Sequence, residues 1–509
     1  MTEAMLGIVT EPPPLPTSWP ILLLSGWLSY LVIRSVYRVF LSPIAHIPGP
    51  KLAAVTRWYE AYYEIVRGGQ YSFHIDKLHD IYGPIIRVAP DEVHVRDATF
   101  YDELYTKNPR VEKPGWDIKF GSPGFSRRSI LSLEHLIQQQ TELLCKRIAE
   151  FRATKEPLCV TEMLPAFTGD IIMEYAFGFS YKQLESPTFE SFHEAFMAIG
   201  GSAHVASFFP WAIAMLDLLP DKWVEKIQPR MASLVRLKRD QWSIIGRAIR
   251  KNAEHRKETE NIEEETTESA TKTTVFSEIL SSTSLPTGDK SQQRLADEAQ
   301  ILVAAGVETT AFALSVGIFH IVNTPHIRRL LQDELFAAFP LGYRTMPSLH
   351  ELEKLPYLRA CIQESLRLSY GVSARNPRRH PDRTLRYEDN GKVYLIPKNT
   401  KVSMTIVDVH HDENIFPDSF RFMPERWLQE PKAPDGRPLE QYLVTFGKGT
   451  RICLGLNLAW AELFFAMGMM FRRFDFELHE TDESDVRYRY DFFTPRVKLD
   501  SKGVRVIVY

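Results

Sequence analysis

Apolar residues recur at helical spacing over most of this chain and alternate in twos only in a few short stretches. The first long run, WPILLLSGWLSYLVI from Trp19 to Ile33, carries no charge, and apolar residues continue past Arg34 and Arg38 to Leu41. It predicts a helix over 18–40, long enough to cross a bilayer with some tilt. The stretch 41–50 contains SPIAHIPGP and cannot continue that helix, because Pro43, Pro48 and Pro50 fix φ and remove donors. It reads as a stiff connector. Ile85–Pro90 and Glu92–Asp97 alternate as strands of a small sheet. Helical spacing returns over 129–153, 161–177, 221–251, 294–323, 325–339, 356–368 and 454–473, and 294–323 is strongly apolar. Phe196–Leu219, apolar with FFPW in its middle, is a candidate lid or pocket wall. Short strands are expected around Val393–Ile406, and the closing VKLDSKGVRVIVY reads as a hairpin. Segment 252–274 is rich in Glu, Lys and Thr and predicts a solvated loop. The pattern predicts a mainly α protein with small β-sheets (an α+β class). Residues 1–17 come first, then a transmembrane anchor over 18–40, a connector over 41–50 and one large domain over 51–509.

Charge orients the anchor. Arg34 and Arg38 lie on its C-terminal side, which places the large domain in the cytosol and residues 1–17 in the lumen. Glu3 and Glu11 precede the run and no small-residue cleavage site follows, which favours an uncleaved anchor over the alternative, a signal peptide. The net charge of −3 excludes a nucleic-acid binder driven by overall charge. Cys145, Cys159, Cys361 and Cys453 stand far apart with no C-x-x-C pair, which excludes a disulfide framework and a zinc ribbon.

The chemistry is concentrated in FGKGTRICLG, Phe446–Gly455. Cys453 lies just before a predicted helix, whose unpaired N–H groups favour thiolate over thiol. Gly447, Gly449 and Gly455 allow tight turns and the close approach of something flat, while Lys448 and Arg451 add positive charge. A thiolate here serves as nucleophile or as metal ligand. A nucleophile wants a histidine in reach and none stands nearby, whereas an axial ligand to haem iron needs only the thiolate and its N–H donors.

Phe446, Gly449, Arg451, Cys453 and Gly455 match F-x-x-G-x-R-x-C-x-G, and the stretch resembles the cysteine loop of the cytochrome P450 superfamily. Such a match arises by chance on the order of once in a million windows. The resemblance implies the fold of that family and haem b as cofactor. Cys453 would be its axial thiolate ligand, Arg451 would meet a propionate, and Phe446 would lie against the thiolate side of the ring. Glu364 and Arg367 in CIQESLRLSY, with Arg426 in PERW, resemble the family's buried Glu–Arg–Arg cluster, which holds the fold. AAGVETTAFALS, Ala304–Ser315, resembles the family's oxygen-binding motif and implies that Thr309 handles oxygen and its proton while Glu308 relays protons. Arg375 is expected at a propionate, with Arg378 as its rival. His410 and His411 lack a third ligand at useful spacing and read as part of the loop leading to PERW.

One family station has no counterpart. Its W-x-x-x-R helix helps to hold the propionates and dock the electron donor, but Trp116 is followed four residues on by Phe120. Arg127 and Arg128 already open the next predicted helix, and the segment between Val111 and Arg127 is short. No residue is assigned to those roles.

The activity implied is a monooxygenase that inserts one oxygen atom of O2 into an apolar small molecule. Electrons would come from NADPH through NADPH–cytochrome P450 reductase, at the endoplasmic reticulum membrane. AHIPGPKLAA and HDIYGPIIRVAPDEVHV resemble fungal biosynthetic members such as trichodiene oxygenase-like enzymes, which implies a terpenoid or polyketide-like metabolite. The alternatives are a haem-thiolate isomerase or dehydratase, against which Glu308 and Thr309 count, and an inactive relic with a shortened segment. Val303, Val307, Ala374 and Phe493 are candidate pocket walls.

Overall fold

The computed structural model describes residues 19–108, 111–113, 127–211, 220, 222–223, 226, 229, 232–260, 274–282, 285–340 and 345–509. Ten helices of eight residues or more lie among them: α1 (Trp19–Val36), α2 (Tyr71–Tyr82), α3 (Glu134–Thr154), α4 (Val160–Phe177), α5 (His193–Phe208), α6 (Ala232–Glu260), α7 (Gln292–Asn323), α8 (Pro325–Ala338), α9 (Pro356–Ser369) and α10 (Leu456–Arg473). The strands are β1 (Ile85–Ala89), β2 (Glu92–Val95), β3 (Leu158–Cys159), β4 (Arg378–Arg379), β5 (Leu385–Asp389), β6 (Lys392–Ile396), β7 (Lys401–Ser403), β8 (Phe476–Leu478), β9 (Tyr490–Phe492), β10 (Thr494–Arg496) and β11 (Arg505–Val508).

Helix α7 is the axis of the helical core. Ser291 caps it by accepting the Arg294 N–H. Its buried positions Val303, Val307, Ala311, Leu314 and Ile318 recur three and four apart, and α4, α9 and α10 pack against it. Helix α4 is buried on nearly every face, as an inner helix must be. The two run close because Gly306 has no side chain; a Cβ there would lie 2.9 Å from Ile172 Cγ1. Thr168 Oγ1 donates to the Val307 carbonyl at 2.9 Å and ties the helices at the same level.

A second core backs the main sheet, whose order is β1-β2-β7-β4. Strands β1 and β2 pair antiparallel, β2 and β7 parallel, and β7 and β4 antiparallel. Two hairpins, β5–β6 and β9–β10, complete this side. The β1–β2 reading is borne out, with strand ends one or two residues inside the expected limits.

At the N-terminus, α1 and the π turn that follows form one helix over Trp19–Leu41, 23 residues with a mean hydropathy of 1.4. It buries nothing and is about 35 Å long, enough to cross a membrane. The connector does more than bridge. Ile44 and Ile47 are buried in the sheet-side core, and Arg87 N–H donates to the Pro48 carbonyl at 2.7 Å.

Several expectations need correction. The closing segment is not a hairpin: β11 pairs antiparallel with β3 on one side and β8 on the other. Its apolar alternation was legible, but its partners lie far away in sequence. The 129–153 helix breaks at Leu133 into Arg127–Ser132 and α3. Helix α6 starts at Ala232 and runs to Glu260, into the segment expected as a loop. The remainder of that loop, 261–273, lies outside the described residues, as do 212–219 of the candidate lid and both Trp116 and Phe120. Ile406 opens a short helix, Ile406–His410, rather than ending a strand. A further helix, Leu349–Glu353, was missed, although its capping box of Ser348 and Glu351 is visible as S-x-x-E.

Candidate active site

The cysteine loop is built by its backbone. Gly447 turns at φ 66° and Gly449 at φ 77°, conformations that favour glycine. A Cβ on Gly449 would lie 2.5 Å from the Tyr105 carbonyl oxygen, so no other residue fits. Cys453 N–H donates to the Phe446 carbonyl at 2.8 Å, which closes the loop and fixes where Sγ points. Helix α10 begins three residues later, at Leu456. Burial pushes the Cys453 thiol up, while the N–H groups of Gly455 and Leu456 pull it down without winning. The N-terminal setting alone therefore does not make the thiolate. A metal cation at Sγ would.

Cys453 is accessible despite lying among buried elements, and so is neighbouring Ile452. On α7, Ile301 and Ala305 are exposed and Thr309 partly so, continuing at four-residue steps the stripe begun by exposed Gln293 and Asp297. Thr309 Oγ1 donates back to the Ala305 carbonyl at 2.8 Å, the i−4 bond expected of it. Val303 and Val307 are fully buried, and Val307 packs on Gly169 of α4, so both belong to the core and not to a pocket wall. Ala374 and Phe493 are held together, since the Phe493 carbonyl accepts from Ser373 and Ala374 N–H at 3.1 and 3.3 Å.

Arginines 375 and 378 part ways. Arg375 is spent on two carboxylates, pairing with Glu60 and, at 3.1 Å, with Glu92, over the face of Tyr71. Arg378 is buried, its Nε makes no hydrogen bond among the described residues, and it lies close enough to Arg451 and Lys113 for mutual repulsion. Burial and these two arginines push Lys113 down to about 8. Three cations converging with an unsatisfied buried N–H, one of them two residues from an accessible thiol, fit haem, whose anionic edge such cations would hold. Lys448, expected to add positive charge to the loop, is paired with Asp102 at 2.6 Å.

The Glu364 cluster is assembled. Arg367 grips the carboxylate with two bonds of 2.8 and 2.9 Å, and Arg426 Nε adds a third at 3.1 Å. Glu364 and Arg367 are fully buried. Burial pushes the Glu364 carboxyl up, but Arg367, Arg426 and the Met423 N–H outweigh it and hold it below the usual range. Sequence reasoning missed the Trp427 indole, which donates to Glu364 at 2.8 Å, although it stands beside Arg426 in PERW. It also missed His410. That ring bonds the Arg367 carbonyl through Nδ1 at 2.8 Å and accepts the Val444 N–H at 3.0 Å, linking α9 to the entry of the cysteine loop. His411 instead meets Tyr370 and Ser419, so the two histidines do not form a metal pair. Glu308 was expected beside Thr309; not expected was its partner, His193 of α5, whose Nδ1 lies 2.9 Å from Oε2.

Comparison with known proteins agrees with this geometry. The family model described as Cytochrome P450 matches residues 119–501. Cytochrome P450 monooxygenase sdnE of Sordaria araneosa is 40% identical over 94% of this chain and 96% of its own. Tryptophan 6-hydroxylase fscE of Fusarium equiseti is 37% identical over 93% and 94% respectively. The crystal structure of cytochrome P450DA heme domain superposes with a TM-score of 0.64 at 14% identity, over 88% of this chain and 95% of that one, and so shares the fold. A family match across most of the chain and near-full-length relatives make this chain a member of the cytochrome P450 family, and its enzyme class that of the P450 monooxygenases.

Proposed function

We propose that this chain is a membrane-anchored haem-thiolate monooxygenase of fungal secondary metabolism, fed with electrons from NADPH by a membrane reductase. The observation that carries the reading is an accessible Cys453, its loop closed onto the Phe446 carbonyl, together with the buried Arg378, whose Nε makes no hydrogen bond among the described residues and which lies near Arg451 and Lys113. Haem b bound through Cys453 would supply oxygen activation, the thiolate pushing electron density toward O–O cleavage. Phe446 and Gly447 shape the thiolate side, and Arg451, Arg378 and Lys113 would hold the propionate edge. Ile301, Ala305, Ala374 and Phe493 offer an apolar surface to an apolar metabolite, of terpenoid or polyketide type. Thr309 holds a proton at Oγ1, parked on the Ala305 carbonyl, and Glu308 stands next to it as the acid. The Trp19–Leu41 helix would anchor the enzyme in the endoplasmic reticulum, with Arg34 and Arg38 marking the cytosolic side.

Thr309→Ala should keep the haem but lower product formation by about a hundredfold and divert electrons to peroxide. Measuring peroxide per NADPH checks this, and unchanged coupling refutes the role. Arg378→Ala should lower haem content and raise the rate of haem loss to apomyoglobin several-fold. Arg375→Ala should instead lower the melting temperature, because it removes the buried cation between Glu60 and Glu92 and leaves them only Arg57 and the Ser403 hydroxyl, with haem retention in the folded fraction unchanged. The reverse pattern would return the propionate role to Arg375.

A further inference from the structure

The carboxylate beside Thr309 is tied to the far side of its helix. Glu308 accepts from His193 Nδ1 at 3.1 and 2.9 Å through its two oxygens. His193 is the first residue of α5 and also lines a surface cleft of about 560 Å3, together with Glu162 of α4, Gln183, Glu194 and Arg236 of α6. One ring nitrogen is thus engaged by Glu308, while the partly exposed ring stands in the wall of a cleft open to water. Arg496 of β10 lies near enough to act electrostatically on both Glu308 and His193. Its guanidinium donates to the Phe196 carbonyl at 3.5 Å and packs against Gly200 of α5, where a Cβ would lie 2.8 Å from Nη2.

We propose that His193 carries protons from this cleft to Glu308, and so supplies the acid that serves Thr309. The inference rests on the monooxygenase reading above. A proton from water in the cleft binds Nε2, and the Nδ1 proton passes to the Glu308 carboxylate. The ring remains neutral with its tautomer exchanged, and Glu308, now a neutral acid, delivers the proton on the Thr309 side. One proton moves and no electron does. The ring resets by turning Nδ1 to the cleft, where water returns a proton to Nδ1 and takes the one on Nε2, before it swings back to Glu308.

The surroundings suit a carrier. Burial lowers the affinity of His193 for a second proton, but Glu308, its hydrogen bond and Glu162 outweigh both burial and the repulsion of Arg496, so its pKa stands above the ordinary value. Glu194 lies next to it on its own helix and Arg236 faces it across the cleft. The imidazolium–carboxylate pair is therefore present below the usual histidine range and lost as pH rises through the raised value. A purely mechanical tie between α5 and α7 would need only a donor at Nδ1, which an asparagine amide also provides.

The test uses the full-length holoenzyme in detergent with reductase and NADPH, following oxygen uptake against pH in ordinary and heavy water. His193→Asn should keep the wild-type carbon monoxide spectrum, slow oxygen uptake at least fivefold, enlarge the solvent isotope effect and remove the inflection in the histidine range. In the wild type, the His193 ring should titrate by NMR above the ordinary range, and Glu308→Gln should bring it down. Oxygen uptake of His193→Asn within twofold of wild type with the same pH profile overturns the proposal. So does a His193 titration indifferent to Glu308→Gln, a measurement that needs no variant at His193. A wild type lacking the thiolate spectrum would bring down the wider reading and this one with it.

Discussion

Cys453→Ser should yield a folded chain without the thiolate spectrum of its carbon monoxide complex and with monooxygenase activity reduced at least ~10³-fold, about 4 kcal/mol in the barrier. The loop that presents the side chain is set by backbone, namely the Cys453 N–H bond to Phe446 and the positive-φ turns at Gly447 and Gly449, so a one-atom change leaves it in place. What disappears is the sulfur. A serine hydroxyl under the same Gly455 and Leu456 N–H groups stays protonated and offers iron no comparable electron density. The other cysteines are the control. Burial pushes Cys145 up to about 12 and Cys159 up to about 11, and holds the fully buried Cys361 well above its ordinary value. Serine at any of those three should leave the spectrum intact. A thiolate spectrum surviving in Cys453→Ser would show that another group ligates the iron.

The second large effect is on stability. Glu364→Gln should destabilise the protein by about 3–5 kcal/mol, because it leaves Arg367 and Arg426 buried without their shared anion. The carboxylate also accepts the Trp427 indole and the Met423 N–H, so one substitution disturbs four partners and the connection from α9 to the loop before Cys453. Denaturant unfolding of the holoenzyme measures the loss, and a change under 1 kcal/mol would contradict it. The pH dependence has a defined sign. Glu364 is held below the usual carboxylate range, so its contribution is fully present above the ordinary glutamate pKa. It is lost as pH falls through the depressed value. The wild type should therefore lose more stability in acid than Glu364→Gln does.

Much of this arrangement is local enough to read along the chain. The 3.6-residue period places α4, α7 and α10 within about two residues of their ends, because burial against several neighbours forces apolar residues onto those faces. The cysteine loop is equally legible, since its glycines answer to backbone conformations that only they adopt without strain. What escapes is whatever depends on distant partners. The tail strand alternates correctly, yet nothing in it says that Leu158 and Phe476 flank it rather than its own neighbours. Arg375 and Arg378 stand three residues apart in one arginine-rich stretch, and only the fold shows that Glu60 and Glu92 claim the first. His193 carries no motif at all. It meets Glu308 from 115 positions away because α5 crosses α7 there. Polar helix ends mislead in the opposite direction: α6 continues through charged residues whose composition reads as loop.

The measurement that tests the haem-thiolate assignment most directly is the reduced carbon monoxide difference spectrum of the full chain. A thiolate-type Soret shift, lost in Cys453→Ser and kept in Cys361→Ser, is the expected result. A spectrum of neutral ligation, or a folded chain that takes up no haem, would contradict it.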